Sequence, residues 1–101
     1  MSNSSGILHL HLARLLSTRD YPKTICPSEV ARALTLSELS PLGYSEWREA
    51  MSAIRCIAVD MRDGGEIEVL QKGVVLDGNL GEYMENVTGP IRLRSVQKQG
   101  N

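Results

Sequence analysis

A chain of 101 residues, 42% hydrophobic and 23% charged, is one globular domain, long enough to bury a core without disulfides or metals. Its net charge of −1 lacks the basic surplus usual in a nucleic-acid binder of this size, so any such activity must rest on a local patch. Two cysteines, Cys26 and Cys56, are too few for a disulfide scaffold, MSNSSG is no secretory leader and no run is long enough to cross a membrane; the expected setting is intracellular, cytoplasmic or nuclear, with reduced thiols and no membrane partner.

Residues 1–5 are polar and expected to be a flexible N-terminus. From Ile7 to Leu12 leucines alternate with His9 and His11, as in a strand, but Leu8, Leu12 and Leu15 also fit a helical stripe. The Leu- and Ala-rich run predicts a helix over about 6–18, ended by Asp20-Tyr21-Pro22. Thr24-Ile25 is a short extended stretch, since the residue before Pro27 is held out of the helical region. Pro27 suits a first helical position, Glu29 complements the helix dipole, and Val30, Ala31 and Leu34 give a second helix over about 27–35. Leu36 to Tyr44, with Pro41 and Gly43, reads as a connection.

The third helix, about 45–62, has the clearest pattern: Ser45 as cap, then Trp47, Met51, Ile54, Ala58 and Met61 as an apolar stripe ended by Asp63-Gly64-Gly65. With no Phe and a single Trp, the core is aliphatic around Trp47. Glu66–Leu70 and Ile91–Val96 alternate as antiparallel strands, Arg92 and Arg94 facing away from Ile91 and Leu93. Residues 71–90 form an extended wing loop and 97–101 a flexible C-terminus. Helix, short strand, helix, helix, strand, strand is the order of a winged helix-turn-helix, an α+β fold of three helices and a small β-hairpin wing.

The segments TICPSEVARAL, WREAM, IEVLQKG and GPIRLR resemble, in the same order, a mostly bacterial family known as domain of unknown function 3253. The resemblance spans Thr24 to Arg94 and implies a winged-helix-like fold, with no activity or catalytic residue to carry over. The chain departs from the family pattern between QKG and GPIRLR, where VVLDGNLGEYMENVT extends it.

Two functions compete. In the first, the third helix reads DNA or RNA: Arg48, Ser52 and Arg55 share one exposed flank and suit base or phosphate contacts, while Lys72, Arg92 and Arg94 meet phosphates. Against it, Ser45–Gly73 holds four basic residues (Arg48, Arg55, Arg62, Lys72) and six acidic ones (Glu46, Glu49, Asp60, Asp63, Glu66, Glu68), a poor match to a polyanion. In the second, the domain binds another protein or a second copy of itself through the wing loop. There Asn79 and Glu82 resemble a capping pair, and Leu80, Tyr83, Met84 and Val87 recur on one helical face, predicting one or two helical turns over 79–87 that pack on the domain or dock a partner. The competing expectation is a mobile loop tip.

Catalysis has no foothold: GxSxG, HExxH, a phosphate loop and a paired-carboxylate motif are all missing from the sequence. His9 and His11 lie two apart and neither cysteine belongs to a CxxC pair, so neither a metal site nor a cofactor is expected. Cys26, at a helix start, reads as a small buried residue rather than a reactive thiol, and Cys56 as partly exposed.

Overall fold

The computed structural model describes residues 3–96. It contains α1 (Asn3–Ser17), α2 (Pro27–Arg32), α3 (Leu36–Leu42), a 3-10 turn (Trp47–Ala50) leading into α4 (Met51–Asp63), and strands β1 (Ile67–Gln71), β2 (Val74–Val75) and β3 (Arg92–Ser95). The strands form one antiparallel sheet in the order β2-β1-β3. Four helices and a small three-stranded sheet make a mixed α+β domain compatible with a winged-helix arrangement. The stretch expected as a C-terminal tail, 97–101, lies outside the described residues, and α1 already begins at Asn3.

Leu8, Leu12 and Leu16 of α1 are buried while Leu10 is 70% exposed, so the four-residue interval, not the alternation, records which side of this segment meets the core. They pack with Val30 and Ala31 of α2, Leu39 of α3, Ile54, Ala58 and Met61 of α4, and Ile67, Val69 and Leu93 of the sheet. Each fully buried aliphatic side chain contributes roughly 1.5–3 kcal/mol. Ile25 acts as a one-residue strand: it exchanges both backbone hydrogen bonds with Leu93, at 2.7 and 2.8 Å.

Three helix starts use one device. A glutamate three residues into the helix reaches back to accept the N–H of the residue before it: Glu29 from Cys26 (2.8 Å), Glu38 from Thr35 (2.9 Å) and Glu49 from Glu46 (3.1 Å). Each bond satisfies a donor that has no partner along the helix, and the carboxylate complements the dipole. The expected connection over 36–44 is corrected here. Thr35 Oγ1 accepts the N–H of Glu38 at 3.2 Å, closing a capping box, and α3 runs through Pro41 in its last turn. Ser45 is not the cap of the long helix: its own N–H donates to Glu49 Oε2 at 2.9 Å.

The sheet keeps the expected pairing of the two long strands, Ile67 with Ser95 through Leu70 with Arg92. The start of the long connection is itself a hairpin. Gln71 pairs with Val74 across Lys72-Gly73, whose φ values of 53° and 80° belong to the tight turn that matches strand twist. After β2 the chain runs through an insertion, residues 76–90, before β3 adds to the other side of β1.

Candidate interaction surface

Ser52, Arg55 and Val59 recur at i, i+3 and i+7 on α4, on a side turned away from the Ile54–Ala58–Met61 stripe. Ser52 is exposed and Arg55 half-buried. Arg48 lies in the 3-10 turn ahead of α4 and is exposed. Its guanidinium sits 4.6 Å from the ring centre of Trp47 and 3.1 Å from Glu46, and Arg32 of α2 lies 4.8 Å from the same ring. This cluster around Trp47 was not anticipated; the sequence places Arg32 and Trp47 fifteen positions apart, and only the packing of α2 on the start of α4 joins them.

A valine on an outward line should meet water, yet Val59 is only 6% exposed. It belongs to the core cluster that also holds Leu80 and Met84 of the insertion. Arg62 Nη2 donates to the carbonyl of Leu76 at 3.1 Å, fixing the start of the insertion against the last turn of α4. Further along, the Cys56 thiol is pushed up by burial first and then by the carboxylates of Asp60, Glu82 and Glu85, and the Tyr83 hydroxyl is raised by Cys56 and then Glu82. Leu80 (5% exposed) and Met84 (1%) belong to the same core as Ile54. On α4 itself, Arg55 Nε is buried with no hydrogen-bond partner among the described residues.

The helical turns expected over 79–87 do not form. Gly81 has φ +90° and Met84 φ +61°, both left-handed, and either one interrupts a right-handed helix. Side chains take over the backbone instead: Asn79 Oδ1 accepts the N–H of Gly81 (2.9 Å), Glu85 Oε1 that of Tyr83 (2.9 Å), and Asn86 Nδ2 donates to the carbonyl of Asn79 (3.0 Å). Of the four residues expected to form one docking face, Leu80 and Met84 are buried, Val87 is half-buried and Tyr83 is exposed. The two N–H groups received by Glu85, its own and that of Tyr83, hold its carboxyl below the usual carboxylate range.

The three wing cations differ in how far they are engaged. Arg94 Nε bonds Glu68 Oε1 at 2.7 Å, directly across the β1–β3 pair, and its guanidinium lies 4.7 Å from the ring centre of Tyr21. Arg92 donates to Thr24 Oγ1 at 2.9 Å and has no carboxylate partner among the described residues. Lys72 stands exposed at the hairpin tip, also without an ion pair among the described residues. Lys72 and Arg92 line one half-open cleft of about 910 Å³ together with Gln71, Val74, Leu76, Thr88, Gly89 and Pro90. Gln71 ties its two walls together, its Nε2 donating to the carbonyls of Thr88 and Pro90. Neither Gln71 nor the cleft was singled out from the sequence, because the contact spans the whole insertion.

Elsewhere, His11 bridges α1 to α3, with Nε2 3.0 Å from Glu38 and Nδ1 3.0 Å from Arg14, while His9 is exposed. Cys26 and Cys56 are both half-buried free thiols, and Ser28 Oγ donates to Cys26 Sγ at 3.2 Å. Among the described residues no three His, Cys, Asp or Glu side chains gather closely enough to hold a metal ion, and no helix is long and apolar enough to cross a membrane.

No curated protein matches the chain. A family profile described as "Protein of unknown function (DUF3253)" matches residues 6–96, from the first turns of α1 to the end of β3. That match spans every strand of the sheet and all four segments on which the resemblance rests, and the chain belongs to the DUF3253 family.

Proposed function

We propose that this domain is a non-catalytic binding module of winged-helix type whose partner is a protein rather than a nucleic-acid duplex. One observation carries the reading: the insertion is tied to the flank of α4, Arg62 Nη2 donating to the carbonyl of Leu76, and its Leu80 and Met84 are buried in the core that Ile54 of α4 shares. A duplex read by this helix would bring its phosphates to that flank. Residues 74–90 carry Asp77, Glu82 and Glu85 and not one Lys or Arg, so the insertion repels a polyanion as well as excluding it sterically. The remaining candidates add little. Arg48 is held by Glu46, Arg94 by Glu68, and Arg55 is partly covered.

The test is a fluorescence-anisotropy titration of a random duplex at low and at physiological salt. The expected result is binding no tighter than the roughly 10⁻⁶–10⁻⁴ M of non-specific association, falling steeply with salt. Tight, salt-resistant and sequence-selective binding contradicts the reading and returns α4 to the role of a reading helix.

A further inference from the structure

We propose that His11 is a proton-operated switch between α1 and α3: its neutral ring holds the Arg14 guanidinium beside the crevice that separates the two helices, and its protonated ring releases Arg14 while keeping Glu38. The switch does not depend on which partner the domain binds.

The two ring nitrogens have opposite neighbours. Nδ1 lies 3.0 Å from Arg14 Nη2, and Nε2 lies 3.0 Å from Glu38 Oε1. A guanidinium has only donors and an ionised carboxylate only acceptors. Nδ1 must therefore accept and Nε2 must carry the proton, so the two contacts together select one neutral tautomer. The Arg14 contact is local, three residues along α1, whereas Glu38 comes from α3. His9, on the same helix, is exposed, so only one of the two histidines is placed between such partners.

A second proton can enter this ring only at Nδ1, and it moves the two contacts in opposite directions. It takes up the lone pair that Arg14 uses and sets two like charges at hydrogen-bond distance. At Nε2 the same step places a full positive charge opposite the Glu38 carboxylate, which strengthens that bond. Glu38 is held ready for it: Oε1 also accepts the Thr35 N–H at 2.9 Å, and Thr35 Oγ1 accepts the Glu38 N–H at 3.2 Å.

Ile7, Leu10, His11, Arg14 and Glu38 line a crevice of about 280 Å³. Arg14 and Glu38 are the charged groups in that lining, and Arg14 has no carboxylate partner among the described residues. The neutral imidazole is thus what keeps the guanidinium in place. Its release removes one wall of the crevice beside Leu10, which is 70% exposed. Acid therefore opens an apolar recess on α1 without loosening α3.

The test is NMR of the full chain, labelled with ¹⁵N and ¹³C and titrated through the transition of the His11 ring, with His9→Gln used to assign that ring. The expected result is a scalar coupling between Arg14 Nη2 and His11 Nδ1 while the ring is neutral, read through the ring's carbon-bound Hε1. It should vanish in step with protonation, as the Ile7 and Leu10 methyl signals shift. The amides of residues 36–42 should stay equally ordered throughout. In His11→Gln the amide offers a donor to Glu38 and an acceptor to Arg14 but takes up no proton, so the methyl shifts should disappear over the same range. If that variant does not fold, the coupling in the parent chain decides. A neutral ring protonated at Nδ1, a missing coupling, methyl shifts that persist in His11→Gln, or loss of order over 36–42 as the ring protonates each overturns the proposal.

Discussion

Ile54, Ala58 and Met61 in α4, and Leu80, Met84 and Val87 in the insertion, recur at the same intervals of four and then three residues. Both sets turn apolar side chains toward one core. Their backbones nevertheless differ: the first set lies on a continuous α-helix and the second on a loop with left-handed residues at Gly81 and Met84. In α4 the N–H groups find carbonyls four residues back, and Glu49 serves the start of the preceding turn. In the insertion, Asn79 and Glu85 claim the N–H groups of Gly81 and Tyr83, an alternative to the helix that short polar side chains and carboxylates offer the backbone. Apolar spacing thus records which residues are buried. The partners of the N–H groups decide the conformation in which they are buried.

The largest effect expected is also the sharpest way to break this comparison. Ile54→Ala removes a core side chain from α4 and should cost about 2–5 kcal/mol in denaturant unfolding, and Met84→Ala should cost a similar amount. A loss below about 0.5 kcal/mol for Met84→Ala would mean that the insertion is not part of the core. Next in size, Gly81→Ala should cost at least about 1–2 kcal/mol, since φ +90° is left-handed and the new Cβ would lie 3.0 Å from the backbone nitrogen of Glu85. Ser52→Ala, on the exposed part of α4, should stay within about 0.5 kcal/mol of the parent. If the two substitutions behave alike, the insertion has no fixed backbone.

Much of the fold could be read in the sequence wherever one local rule decided it. The α1 and α4 stripes, the alternation of β1 and β3, and the extended Ile25 all follow from period and proline position. The α3 helix was missed because Pro41 and Gly43 read as connection residues, although Thr35 and Glu38 three positions later carry the capping-box signature. The hairpin at Lys72-Gly73 was missed because it lacks the usual Asn-Gly signal. The candidate site was less legible. The stacking of Arg32 and Arg48 on Trp47 depends on how α2 packs, and the pairing of Arg94 with Glu68 depends on strand register. That the insertion is tied to α4 depends on the contact between Leu76 and Arg62 and on Leu80 and Met84 sharing a core with Ile54, which no spacing rule connects.

Smaller effects refine the same contrast at the caps. Thr35→Ala should cost about 1 kcal/mol, the usual loss of a side-chain cap. Acid should act on both regions. The Glu38 carboxyl lies below its ordinary value because it accepts the N–H of Thr35, with His11 adding to the effect, and Glu85 is lowered by the N–H groups of its own residue and Tyr83. A carboxyl lowered on folding contributes stability above its unfolded value, and that contribution is lost as pH falls through the folded one. Glu38→Gln and Glu85→Gln should therefore each flatten the acid limb of a stability-versus-pH curve, with little change in its slope above the carboxylate range.

The most direct test of the insertion lying on α4 is the pH dependence of alkylation at Cys56, measured in a Cys26→Ser background with and without Glu82→Gln. Burial raises the Cys56 thiol first, and the carboxylates of Asp60, Glu82 and Glu85 raise it further. The expected midpoint lies above the ordinary thiol range and moves down when the charge of Glu82 is removed, because the thiolate then forms against less negative charge. A midpoint in the ordinary range that ignores Glu82→Gln would place the insertion away from α4 and contradict the account.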